Sequence, residues 1–333
     1  MEASGSTGSG SRRIFVLGGT GTIGRATVRA LLERGHRVTC FVRSGRGSDE
    51  LDALFPDVEQ RLGDVTDQIS IARDGFRGDE FDVLVSCLAS RTGVPEDAWA
   101  VDYGATAAAL RLARDAGIDH MVLLSAICVQ RPRLAFQEAK LAMERELIAS
   151  GLTYSIVRPT AFFKSLTGQV ARVQRGKPYL VFGDGRLTSC KPISDGDLGR
   201  FIAGCLDDPS RWNAVLPIGG PGPAITPQEQ AEHLFSVLGQ EPRIRQVPVG
   251  LLSSIARLLA GFGRVNRGLA EKAALARIGH YYATQSMLVL DPETGRYEAD
   301  LTPSTGSETL FDFQERLVRG EVSAERGDHA VFQ

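Results

Sequence analysis

Residues 14–24 read Ile14-Phe15-Val16-Leu17-Gly18-Gly19-Thr20-Gly21-Thr22-Ile23-Gly24. Four consecutive apolar residues are what a strand buried on both faces of a parallel sheet requires. A helix pattern, RATVRALLERG, follows from Arg25 and closes at Gly35. Gly19, Gly21 and Gly24 fit GxGxxG, and Gly18, Gly21 and Gly24 also fit GxxGxxG. Alone, either spacing is weak evidence. Between a strand and a helix, it is the arrangement that binds a dinucleotide diphosphate. Glycine lets the backbone turn tightly and approach the phosphates, and the helix N-terminus offers N–H groups and a positive dipole end.

Outward from this stretch, apolar runs alternate with helix patterns. Arg37 to Val42, Phe81 to Cys87, His120 to Ser125 and Thr153 to Val157 read as strands. Leu110 to Ala116, stopped by Gly117, reads as a crossover helix; Pro132 to Ile148 contains a longer one, ended by Ser150-Gly151. Such alternation predicts an α/β fold, a doubly wound parallel sheet of Rossmann type. At roughly 100–200 residues per domain, the 333 residues suggest two parts. The expected division is a flexible tail over 1–12, a dinucleotide-binding domain over 13–159, and a smaller substrate lobe over 160–333 interleaved with the sheet's C-terminal edge.

The end of the second strand bears on the choice of cofactor. NAD sites usually place a carboxylate there for the ribose 2′-OH. Here the residues are Arg43-Ser44, followed by Arg46. A guanidinium and a hydroxyl suit a 2′-phosphate, which a carboxylate would repel, so the expected cofactor is NADPH. Asp64-Val65, at the end of a third strand, suits an adenine edge. Cys87-Leu88-Ala89, at the end of the fourth, falls where the middle of the cofactor passes.

Composition removes several classes. The 38 basic and 40 acidic residues leave a net charge of -2, so nothing draws the chain as a whole to nucleic acid or anionic lipid. Five scattered cysteines without CxxC spacing predict reduced thiols rather than disulfides, and no metal site. No apolar run reaches the roughly 18–20 residues of a membrane span. Leu251, Leu252, Ile255, Leu258, Leu259 and Phe262 share one helical face. That stripe suits core packing, an apolar ligand or peripheral membrane contact. Only five of the basic residues are lysines, and four of them lie between Lys140 and Lys191. Where arginine is the default base, a lysine marks a place that suits a compact ammonium.

To this point the sequence resembles the atypical branch of the short-chain dehydrogenase/reductase superfamily. That superfamily places a Ser at the end of the fifth strand, matched by Ser125, and Tyr-x-x-x-Lys on the next helix. The matching residues are Phe136-Gln137-Glu138-Ala139-Lys140. The lysine is kept and the tyrosine is absent. Phenylalanine has no proton to give to a carbonyl oxygen, which disfavours ordinary carbonyl–alcohol chemistry. Reduction of an activated C=C bond, or a cofactor-binding protein without catalysis, is what remains.

A closer likeness lies in AFFKSL (161–166), CKPISD (190–195) and IGHYYATQSMLVLD (278–291). These are similar to the NADPH-dependent divinyl chlorophyllide or protochlorophyllide 8-vinyl reductases of chlorophyll and bacteriochlorophyll biosynthesis. The resemblance implies a tetrapyrrole substrate whose 8-vinyl group is reduced to ethyl. With it, Lys140 and Ser125 are the expected catalytic residues, Lys140 also meeting the nicotinamide ribose. The cofactor is expected to touch Gly18, Gly19, Thr20, Gly21, Thr22, Ile23 and Gly24, and later Pro159, Thr160, Ala161 and Phe162. Phe163, Lys164 and Lys191 are expected at the substrate, the lysines toward its carboxylates. The implied location is the cytoplasm of a photosynthetic bacterium, peripheral to its photosynthetic membrane, with the chloroplast as alternative. The rival reading is a non-catalytic NADP-binding sensor or assembly protein.

Overall fold

Ile14 to Leu17 are fully buried, and alternate side chains enter different cores. Successive strand residues point to opposite faces, so Ile14 and Val16 join one apolar cluster while Phe15 and Leu17 join another. At roughly 1.5–3 kcal/mol for each large apolar side chain removed from water, this two-sided burial fixes the strand. The computed structural model describes residues 10–323 apart from 93, 252–253, 255–257 and 260–266. Leu252, Ile255 and Phe262 of the apolar stripe, and residues 1–9 of the expected tail, therefore lie outside the described residues.

The strands in chain order are β1 (Arg13–Leu17), β2 (Arg37–Val42), β3 (Glu59–Leu62), β4 (Val83–Ser86), β5 (His120–Leu124) and β6 (Thr153–Pro159). β7 (Tyr179–Phe182) leaves the sheet and pairs in parallel with β9 (Ile244–Val247), while β8 (Ala214–Ile218) returns to it. Seven strands lie in the order β3-β2-β1-β4-β5-β6-β8, every pair parallel. The order reverses between β1 and β4. In such sheets the crevice beyond the strand ends opens at this reversal.

The helices that matter for the site are α1 (Thr22–Glu33), α2 (Thr106–Asp115), α3 (Ala135–Ala149), α4 (Phe163–Leu166), α5 (Asp195–Gly204), α6 (Arg267–Thr284) and α7 (Leu310–Val318). Val28 and Leu31 of α1 and Leu198 and Ile202 of α5 cover one face of the sheet. A Cβ on Gly199 would stand 2.6 Å from the Ala26 backbone, so α5 and α1 meet backbone to backbone. Leu110 of α2 and Met143 and Leu147 of α3 cover the other face. α1 starts at Thr22, three residues before the helix pattern recognisable in the sequence. The last three motif residues are thus its first turn, because Thr22, Ile23 and Gly24 have helical neighbours rather than helical propensity. All five cysteines are free. No described helix is long and apolar enough to cross a membrane.

Candidate cofactor and active site

The parallel sheet brings four loops to one edge: those after β1, β4, β5 and β6. Gly18, at the end of β1, has φ +77°, and a Cβ there would stand 2.7 Å from the Cys87 carbonyl group. The first loop therefore rests directly on the fourth strand's exit. A Cβ on Gly24 would stand 2.0 Å from the Gly18 carbonyl oxygen, so only glycine closes this turn. Gly21 differs. A Cβ there would meet only the Gly18 oxygen, at 3.4 Å; the protein itself fills nothing on that side. Gly21 is the N-cap of α1, which has no side-chain cap and no acidic residue in its first turn. An uncapped positive helix end beside open space fits a diphosphate. The Arg25 guanidinium fixes the loop from outside by donating to the Thr20 carbonyl at 3.1 Å.

Arg43 and Ser44 follow β2 and are exposed; the Arg46 side chain lies outside the described ones. Hydrogen bonds from Thr66 lower the Asp64 carboxyl, and bonds from Thr92 and Arg91 lower that of Asp97 against the opposing effect of burial; the Arg43 charge adds a smaller lowering at both. The Asp64 carboxylate accepts from the Thr66 backbone N–H at 2.8 Å and from its hydroxyl at 2.7 Å. Val65 behind it is buried. Cys87 and Leu88 are half-buried and Ala89 exposed. The Cys87 thiol, pushed up to about 11 by burial, remains protonated. It is not a nucleophile.

Lys140 is buried on α3, and its ammonium lies 3.0 Å from the Asp102 carboxylate. Asp102 belongs to a π-helical turn, Trp99–Ala105, that runs into α2. Its two oxygens also face the Ser90 backbone N–H at 3.4 Å. The Lys140 charge acts on Cys87 beyond β4 and on Cys128 beyond β5. Asp102 was missed by sequence reasoning: it sits in AWAVDYGAT with no motif around it, and only the tertiary fold brings it to Lys140.

Phe136, one turn before Lys140, packs with Ala126, Ala161 and Leu166 against Ile127, Cys128, Cys190, Tyr281 and Met287. α6 supplies Tyr281, whose hydroxyl donates to the carbonyls of Cys128 at 2.8 Å and Arg131 at 3.0 Å. The position that the superfamily gives to tyrosine is thus an apolar wall.

The remaining expected residues have definite places. Ser125 is buried and donates at 2.5 Å to Glu144, whose carboxylate is also held by Arg158. The hydroxyl is committed to this internal chain and ties β5 to α3. Pro159 and Thr160 are buried, and the Thr160 hydroxyl donates to the Lys191 carbonyl. Ala161 and Phe162 are half-exposed, and Phe162 bridges to Ile193. Phe163 is 2% exposed, packed on Leu310, with the tilted Phe313 ring centred 5.4 Å away. It packs in the core with no open face, and this corrects its expected place at the substrate. The Lys191 ammonium donates to the Thr302 carbonyl at 3.0 Å and ties down the C-terminal loop. Lys164, expected at the substrate, lies at the glycine loop: its ammonium donates to the Thr22 hydroxyl at 2.7 Å.

Sheet order, crevice and glycine cradle define the class: an NAD(P)H-binding protein of Rossmann type. The NAD(P)H-binding family description matches residues 18–209. A solved NADPH complex of the quinone oxidoreductase QOR2 from Escherichia coli superposes with a TM-score of 0.67, covering 92% of this chain and 99% of that one at 17% identity. The rice (Oryza sativa subsp. indica) protein named divinyl chlorophyllide a 8-vinyl-reductase, chloroplastic, is 48% identical over 331 residues, 96% of this chain and 82% of its own length. A more distant likeness, 24% over 269 residues, covering 80% of this chain and 81% of its relative, is to the photosystem II assembly factor Ycf39 of Trieres chinensis. The chain belongs to the divinyl chlorophyllide a 8-vinyl-reductase family, and is an NAD(P)H-dependent oxidoreductase.

Proposed function

We propose that this protein reduces the 8-vinyl group of divinyl chlorophyllide a, or of the corresponding protochlorophyllide, to an ethyl group at the expense of NADPH. The observation that carries the reading is the pairing of a retained Lys140 with an apolar wall at Phe136, beside the crevice of a vinyl-reductase relative. NADPH, when bound, supplies a hydride. A vinyl group conjugated to a tetrapyrrole accepts it at the terminal carbon, with negative charge spreading into the macrocycle, and a proton completes the ethyl group. No oxyanion forms beside α3, so no phenol is needed there. The protein's tasks are orientation and electrostatic stabilisation.

In this account Lys140 contributes positive charge near the nicotinamide ribose, held in place by Asp102. Arg43 and Ser44 receive the 2′-phosphate, Asp64 and Val65 the adenine. Cys87, Leu88 and Ala89 face the middle of the cofactor, and Pro159 to Phe162 border its nicotinamide end. Residues 13–159 act as the cofactor domain and 160–333 as the substrate lobe. The 8-vinyl-reductase relatives are named chloroplastic. For this chain, five unpaired cysteines suit a reducing compartment, and the bacterial cytoplasm beside a photosynthetic membrane is our assignment.

The test is incubation of the purified protein with NADPH and divinyl chlorophyllide a, followed by chromatography. Monovinyl product supports the reading. Folded protein that binds NADPH and never converts the substrate overturns it, and favours a role akin to the Ycf39 relative.

A further inference from the structure

The Lys164 ammonium ends at the first turn of α1, 2.7 Å from the Thr22 hydroxyl. This is the positive end of the helix, and α1 carries no acidic residue there. Among the described residues no carboxylate pairs with Lys164. A cation facing the positive end of a helix without a counter-charge is electrostatically unfavourable. An anion between the two reverses the sign of both interactions. The open side of Gly21 supplies the space for one.

The lysine is also held from behind. It rides on α4, whose Phe163 is buried against Ile225 and Leu310 and packs on the tilted ring of Phe313 from α7. Its stem therefore leaves a segment anchored in the C-terminal part of the chain. The residue type fits: a compact ammonium meets a diphosphate as a point charge without needing the planar approach of a guanidinium, in a chain where only five of 38 basic residues are lysines.

We propose that Lys164 is the second jaw of the diphosphate site. The dinucleotide's diphosphate lies between the N-terminus of α1 and the Lys164 ammonium, which exchanges its bond to Thr22 for a phosphate oxygen. Cofactor binding thereby ties α4, and α7 behind it, to the glycine loop. The inference rests on the NAD(P)H assignment alone and is independent of the identity of the pigment.

The experiment compares Lys164→Gln with the unmutated full chain by titration calorimetry, without pigment, using NADPH, NADH and 2′-AMP. The diphosphate is common to both dinucleotides and absent from 2′-AMP. Loss of one charge-assisted hydrogen bond predicts Kd values for NADPH and NADH raised by the same factor, about tenfold, with 2′-AMP binding unchanged. Unchanged 2′-AMP binding also certifies that the variant is folded. Lys164→Arg, which keeps the charge, should recover part of the loss. Unaltered dinucleotide affinities in Lys164→Gln would overturn the proposal. So would a loss for NADPH alone, which would move the ammonium to the 2′-phosphate. Neither result would bear on whether the vinyl group is reduced.

Discussion

The Lys140 ammonium and the Asp102 carboxylate form an ion pair at 3.0 Å, with side chains 10% and 1% exposed. Removing one partner of such a pair leaves an uncompensated charge in the interior and typically costs about 3–5 kcal/mol. Asp102→Asn should therefore lower unfolding stability by roughly that amount, measured by urea denaturation. Asp102→Asn combined with Lys140→Met should recover much of the stability while staying inactive. If the double variant turned over at the unmutated rate, the ammonium would have no part in the chemistry.

The glycine loop makes opposite demands at two positions. Gly24→Ala sets a methyl group 2.0 Å from the Gly18 carbonyl oxygen, so the turn must open. The variant should lose cofactor binding together with thermal stability. Gly21→Ala meets nothing closer than 3.4 Å. It should fold normally and yet bind NADPH more weakly, by at least about tenfold if the methyl group excludes a phosphate oxygen. Normal NADPH affinity in Gly21→Ala would place the diphosphate elsewhere.

Cofactor choice is assigned to Arg43, exposed after β2. NADPH should bind more tightly than NADH, and Arg43→Glu should erase or reverse the preference by placing a carboxylate against the 2′-phosphate. Fluorescence titration with both cofactors measures this. Equal affinities in the unmutated chain would sink the assignment.

His120 ties acid stability to the opposite edge of the sheet. It is buried beneath the Trp212 ring, whose centroid lies 5.7 Å away. Burial, assisted by Arg12 and opposed by Asp119, pushes its imidazole from 6.5 down to about 4. Between those values the unfolded chain binds the proton and the folded chain does not. Stability from this residue is thus fully present above 6.5 and declines as pH falls toward about 4. His120→Asn should flatten this part of the denaturation-versus-pH curve, with carboxylates accounting for the decline at lower pH. An unchanged slope would show that the imidazole is already neutral to the same degree in the unfolded chain.

What the sequence disclosed follows from range. β1, β2 and β5 are apolar runs bounded by turn residues, and local pattern suffices to find them. The placement of Gly18 to Gly24 between strand and helix, and of Lys140 on the helix after β5, was legible because each lies within one βα unit. Ser125 was found by position, but its bond to Glu144 was not, since that carboxylate looks like any other on α3. The contacts of Asp102 and Lys164 were illegible for the same reason. The first meets Lys140 only after a π-helical turn rotates it inward. The second reaches Thr22 only after the chain has crossed the sheet. Phe163 read as an aromatic available to a ligand because burial by α7, far along the chain, leaves no local trace.

The central claim, that hydride goes to the vinyl group, is tested most directly with NADPH carrying deuterium at the transferring position of its nicotinamide. One deuterium is expected in the product pigment, on the terminal methyl carbon of the new 8-ethyl group, read by NMR and mass spectrometry. The same reaction in deuterated water with ordinary NADPH should label only the adjacent methylene. A reduced product with deuterium from the cofactor at any other carbon, or with none, would contradict it.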